Sequence, residues 1–318
     1  MKRRRPWVWL LRGTVGAGVL AYLLWQSRSG AVGEALRALN GPRWTAAVAL
    51  YLVGQLLCAW KWGVLTRALG MPRPYRALVA YYCGGMFFNL FLPTTVGGDV
   101  GRAAALARPN GTLARGLISV LADRGSGFIA LLLLASVAVL VLPGLPAGIV
   151  AATVAGTALA VAGSAAALAA PGCFRRLGEG IHDALVACRR PRVLLPVAAV
   201  SLLFQVLAAV VHALVGWALG LEVGFGYYLL AGTLGAIVAM APVSVNGLGT
   251  RDAAYVFLLG LGGMPREAAL AFALSWLALI LTCGAVGGLV FALLAPGQAS
   301  LFRATKSAAA TAGEDGDG

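Results

Sequence analysis

Apolar runs near ~20 residues, each long enough to cross a bilayer as a helix, recur from one end of this chain almost to the other. Short polar or basic stretches separate them. The pattern predicts full crossings over residues 7–25, 44–65, 117–142, 147–170, 193–219 and 266–294. Two further apolar stretches, 77–92 and 227–241, stop at Pro93 and Pro242 and run into glycines and charges. Proline removes a backbone donor and glycine frees φ, so each stretch predicts a broken helix that resumes past the break, near Val100 and Ala253. These two hairpins, near 77–108 and 227–261, either re-enter part-way or cross and return. The fold class expected is an all-α polytopic membrane bundle with two broken or re-entrant hairpins.

The segments between have their own signals. Residues 30–40, with Leu36 and Leu39 among Glu34 and Arg37, predict a short amphipathic helix lying on the surface. Lys61 stands near enough to the end of its run to snorkel. The run 147–170 is rich in Ala and Gly, which favours close helix packing. Residues 171–192 read as the one substantial loop. A cleaved signal peptide competes with a crossing at 7–25, though that run is long for one and Ser27 to Ala31 make a weak cleavage site. Residues 1–295 form one membrane domain, and the small, finally acidic tail 296–318 predicts disorder.

Composition narrows the class. Only 11% of residues are charged, against about 25% in soluble domains. The formal net charge of +14 would suggest nucleic acid for a soluble protein. In a membrane protein, loop cations instead mark the cytoplasmic side and meet anionic lipid, so no nucleic-acid partner is expected. With the basic head at Lys2 to Arg5 inside, the loops holding Arg67 to Arg76, Arg102 to Arg124 and Arg175 to Arg192 also fall inside. Both termini are then cytoplasmic, in a multi-pass protein of the inner membrane. Cys58, Cys83 and Cys283 read as small buried hydrophobes. Cys173 and Cys188 flank His182, but the spacing matches no zinc pattern, so neither metal nor cofactor is expected.

The two breaks share a motif. Pro93-Thr94-Thr95-Val96-Gly97-Gly98-Asp99-Val100-Gly101-Arg102 and Pro242-Val243-Ser244-Val245-Asn246-Gly247-Leu248-Gly249-Thr250-Arg251 agree in Pro, hydroxyl, Val, Gly and Arg at the same places. In the topology above, the first is approached from the cytoplasm and the second from outside, which predicts an inverted repeat. Broken helices at matching places in two halves point to a transporter's binding site.

Asp99 and Arg102 share a helix face. Gly97 and Gly98 place amides just ahead of a helix start, where a phosphate can sit. Asn246, Gly247, Gly249, Arg251 and Asp252 offer the same chemistry in the second copy, and Asp123-Arg124 adds a third charged pair. A charge at bilayer depth costs at least about 2.5–3.5 kcal/mol on insertion scales, so a functional role is the default. Glycines as packing residues and Arg–Asp pairs as helix locks are the bland alternatives. His212, alone in an apolar run, reads as structural.

Asn89-Leu90-Phe91-Leu92-Pro93 followed by Gly97-Gly98-Asp99 and Arg102 resembles the signature of flippase-like membrane proteins named for the transmembrane region of lysylphosphatidylglycerol synthase. Asp123-Arg124, and Pro242 with Ser244, Gly247, Gly249, Arg251 and Asp252, are similar to that family's later motifs, Asp252 standing where Glu is common. The resemblance implies an inner-membrane protein that moves a lipid between leaflets or supports its transport. In the two-part synthases aminoacyl transfer belongs to a separate soluble domain, so a lysyl transferase is not expected.

The leading expectation is therefore a lipid translocase rather than an enzyme. An anionic phospholipid or lipid-linked headgroup would be contacted by Asn89, Thr95, Gly97, Gly98, Asp99, Arg102, Asp123, Arg124, Ser244, Asn246, Gly247, Gly249, Arg251 and Asp252. Pro93 and Pro242 would break and gate the helices. No G-x-x-x-x-G-K-[ST] stretch is present to bind ATP. One alternative is a non-transporting scaffold for a lipid-modifying or glycosyltransferase enzyme. Another is a membrane glycosyltransferase, which the shortage of outer-loop acids disfavours.

Overall fold

A computed structural model describes residues 22, 29–91, 97–107, 112–241, 244 and 247–295. The crossing expected at 7–25, except Tyr22, and the tail expected at 296–318 lie outside these. Among the described residues there are helices and turns and no strand. The helices are α1 (Ser29–Arg37), α2 (Gly41–Ala68), α3 (Tyr75–Phe91), α4 (Gly97–Ala107), α5 (Leu113–Val141), α6 (Ala147–Ala169), α7 (Glu179–Cys188), α8 (Pro191–Ala218), α9 (Phe225–Met240), α10 (Thr250–Leu261) and α11 (Arg266–Leu294). Five of them, α2, α5, α6, α8 and α11, are long and apolar enough to cross a membrane. The protein is an all-α, multi-pass membrane bundle.

The order of helices repeats. α2, α3, α4 and α5 have 28, 17, 11 and 29 residues, and α8, α9, α10 and α11 have 28, 16, 12 and 29. Their ends repeat too. α2 stops at Gly70, whose φ is 74°, and the Met71 amide donates back to the Thr66 carbonyl at 2.8 Å. α8 stops at Gly220, φ 69°, and the Leu221 amide donates to the Gly216 carbonyl at 3.0 Å. Both are left-handed glycine caps that satisfy carbonyls left open at a helix end.

The halves also interlock. α2 lies along α8, α3 lies against α11, and α9 lies against α5, so each half contributes to the other's packing. α2 and α8 run antiparallel. At one end the Asn40 amide donates to the Ala218 carbonyl (2.6 Å) and Arg43 donates to the Trp217 carbonyl (3.0 Å). At the other, Lys61 reaches Ser201 at 3.2 Å. Gly54 and Phe204, equivalent in the two helices, meet where they cross; a Cβ on Gly54 would lie 3.1 Å from the Phe204 ring.

Several sequence expectations need correction. α1 does not merely lie on the surface: Val32 is buried and joins the main core, with Leu36 and Leu39 against it, because α11 offers an apolar face to cover. Residues 171–192 are a 3-10 turn (Pro171–Leu177) and α7 rather than a loop; Ala184 and Ala187 are buried, so tertiary packing organises this polar segment. α6 is packed less closely than its small residues suggest. Among the described residues its main neighbour is α5, and a Cβ on Gly148, Gly156 or Gly163 would meet nothing within 4 Å. Finally, α4 begins at Gly97, not near Val100.

Candidate functional site

The first break positions its charges through close backbone contacts. A Cβ on Gly98 would collide with the Gly85 carbonyl and with Asn89, so only glycine lets α4 fold back against α3 here. A Cβ on Gly116 would collide with the Ala103 backbone, which sets α4 equally close to α5. That squeeze carries Arg102, on α4, to Asp123, on α5. Arg102 Nη2 donates to Asp123 Oδ2 at 2.9 Å, and its Nε donates to Asp99 Oδ1 at 3.1 Å. The rings of Tyr82 and Trp62 cover the guanidinium at 4.8 and 5.0 Å from their centroids, a placement worth roughly 2 kcal/mol when desolvated.

Lys61 completes this cluster, and the snorkelling expected of it is wrong. Its side chain is buried, and Nζ lies 3.0 Å from Asp123 Oδ1. An ammonium that finds a carboxylate inside the bundle has no reason to reach for the interface. Arg124, next along α5, also reaches α4 and holds Asp99 through two donors, at 3.0 and 3.1 Å, while remaining half exposed.

The second break is built differently. α10 starts after Gly249, whose φ is 78°. The Asp252 carboxylate accepts from the Gly249 amide at 2.9 Å and so caps the helix. Gly247 also has positive φ, and a Cβ there would press on Ala239 of α9. Ser244 is buried and shares a 2.8 Å hydrogen bond with Thr250. Arg251 is buried, with Nη2 at a long 3.4 Å from Asp252 Oδ1 and Nε without a hydrogen-bond partner among the described residues.

Both breaks face one cavity of about 360 Å³. Of the residues singled out from sequence, Asn89, Asp99, Arg102, Asp123, Arg124 and Arg251 line it. Gly98, Ser244, Gly247, Gly249 and Asp252 do not, and serve to build the breaks, while Gly97 begins α4. Pro93, Thr95, Pro242 and Asn246 lie outside the described residues. The amides at the helix starts were expected to be open to a phosphate. Gly98 and Gly249 are not: Asn89 Oδ1 accepts from the Gly98 amide at 2.9 Å, and Asp252 takes that of Gly249. Arginine side chains, rather than these amides, are what the cavity presents.

Sequence reasoning passed over several lining residues. Lys61 carried a signal, being a cation within an apolar run. Gln55 and Gln205 carried another, since they occupy the same place in α2 and α8 and both reach the cavity. Tyr51, Tyr255 and Trp276 gave none, because aromatics in apolar runs are ordinary core. His212, read from the sequence as structural, is buried, stacks on Trp276 at 3.7 Å between centroids, and pairs with the Ala208 carbonyl and the Tyr255 hydroxyl. It also lines the cavity.

Residues 9–288 match the family described as the Lysylphosphatidylglycerol synthase TM region. No curated protein and no solved structure matches the chain significantly. The match runs through both breaks and the helices that carry the cavity's charges, so the chain belongs to the lysylphosphatidylglycerol synthase transmembrane-region family.

Proposed function

We propose that this protein moves an anionic phospholipid, or a lipid-linked anionic headgroup, between the leaflets of its membrane. The observation that carries the reading is the cavity's charge balance. Lys61, Arg102, Arg124 and Arg251 stand there against Asp99, Asp123 and, behind Arg251, Asp252. Among the described residues, four cations against three carboxylates leave one positive charge uncompensated. A phosphodiester carries one negative charge and would neutralise it. The headgroup crosses through the cavity while the acyl chains stay in the bilayer.

The architecture supports this reading. Antiparallel α2 and α8, equivalent in the repeat, fit an inverted repeat with its pseudo-axis in the membrane plane, the arrangement that lets one midplane site face either side in turn. The basic loops favour an inner-membrane protein with both termini cytoplasmic. On this reading the chain performs no covalent chemistry. A lipid-modifying or glycosyltransferase enzyme is its natural partner, as the source or consumer of the lipid.

The test is leaflet exchange. Purified protein in liposomes should expose a fluorescent anionic phospholipid of the inner leaflet to an external quencher, and Arg251→Ala should slow this. Exchange no faster than in empty liposomes would favour a scaffold that holds lipid for a partner enzyme.

A further inference from the structure

We propose that Asp123, Ser126 and Ser201 form a monovalent-cation site, and that Lys61 fills it with its own ammonium. Four oxygens surround Lys61 Nζ: Asp123 Oδ1 at 3.0 Å, the Asp123 carbonyl at 3.1 Å, Ser201 Oγ at 3.2 Å and Ser126 Oγ at 3.3 Å. An ammonium has three N–H donors for these four oxygens, and the cage is also tied together without it, Ser126 donating to the Asp123 carbonyl at 2.9 Å and Ser201 to Ser126 at 3.3 Å. Carboxylate, carbonyl and hydroxyl oxygens are the ligands that hard, spherical cations take. The cage comes from α5 and α8, one helix of each half, while its occupant arrives from a third helix, α2.

The surrounding charges fit a cation that is tolerated but not demanded. Arg102, from α4, takes the other oxygen of Asp123 at 2.9 Å. Arg124, next along α5, is turned to Asp99. Cys58 on α2, Tyr82 on α3 and Gln205 on α8 are neutral neighbours, the last donating to the Gly127 carbonyl at 3.1 Å. Without Lys61, Asp123 and Arg102 would remain a neutral pair beside an oxygen-lined hole of ammonium size. A small cation should enter that hole weakly. The protein thus carries, covalently attached, an ion that it would otherwise have to recruit from solution, and this ion ties α2 and α5 to α8.

The site stands on geometry; its consequence for transport rests on the translocase reading. There, exchange by the wild-type protein should be equal in sodium and choline salts, and exchange by Lys61→Ala should require sodium.

The deciding experiment is thermal unfolding of the purified full chain, with sodium chloride or methylammonium chloride titrated against choline chloride at equal ionic strength. Lys61→Ala should gain a saturable rise of about 3 °C in sodium or methylammonium and none in choline. Wild type and the double variant Lys61→Ala/Ser201→Ala should show no such rise. Yield is also a readout: Lys61→Ala recovered only when purified in sodium or methylammonium supports the site. A response identical in all three salts, or a variant lost in all three, overturns it. Absent exchange by the wild type would overturn the translocase reading and leave the titration standing.

Discussion

The two halves of this bundle place different chemistry on the same skeleton. Trp62 and His212 hold the same position in α2 and α8, and Asp123 and Trp276 the same position in α5 and α11. In the first half these places belong to a charged network, in which Asp123 binds both Lys61 and Arg102, and Trp62 donates to Ser119 at 3.2 Å. In the second half they belong to an aromatic cluster, in which His212 stacks on Trp276 with Tyr255 and Phe272 at its edges. The two motif arginines inherit opposite circumstances. Arg102 is held by two carboxylates and two ring faces. Arg251 has one long contact with a carboxylate already committed to a cap, and a ring at 5.8 Å. Each guanidinium keeps one nitrogen without a hydrogen-bond partner among the described residues, Nη1 of Arg102 and Nε of Arg251, but Arg102 is anchored by two short carboxylate contacts and Arg251 by none.

Substitutions in both halves break or sharpen this contrast. Asp123→Ala should cost the most, because it strands the buried Lys61 and removes one of the two carboxylates that hold Arg102, and losing one partner of a buried pair typically costs about 3–5 kcal/mol. Its unfolding temperature in detergent should fall well below that of any second-half charge variant. Gly98→Ala and Gly247→Ala come next. The first drives a methyl into the Gly85 carbonyl, and the second sets alanine at positive φ against Ala239. Each should cost roughly 1–3 kcal/mol by overpacking, read in the same melts.

Arg251→Ala should barely move the melting temperature, since little in the resting protein depends on its guanidinium. It should nonetheless slow exchange of anionic lipid by about tenfold or more, the worth of a hydrogen bond to a charged group. Equal losses of stability in Arg102→Ala and Arg251→Ala would erase the contrast between the halves. The smallest effect belongs to Gly54→Ala at the α2–α8 crossing. Its new methyl would press a ring that can shift by a few tenths of an ångström, so the cost should stay under about 1.5 kcal/mol.

Much of this skeleton was legible because hydrocarbon imposes simple rules. Apolar length predicted the five described spans, and the apolar stretch expected over 227–241 is α9, which ends at Met240. The pairing of Asp99 with Arg102 followed from helical spacing alone. What could not be read depends on three-dimensional neighbours. Nothing local says that Lys61 will find Asp123 rather than the interface. Nor does the motif reveal that the Gly98 amide is taken by Asn89, nine residues earlier, across the break. The helical content of 171–192 was missed because its apolar positions act only once packed.

The most direct measurement compares exchange rates of an anionic and a zwitterionic phospholipid, each labelled on an acyl chain, in liposomes holding either wild type or Arg251→Ala. A cavity with one positive charge in excess predicts that wild type favours the anionic lipid and that the substitution removes the preference. Equal rates for both lipids with both proteins would contradict the account.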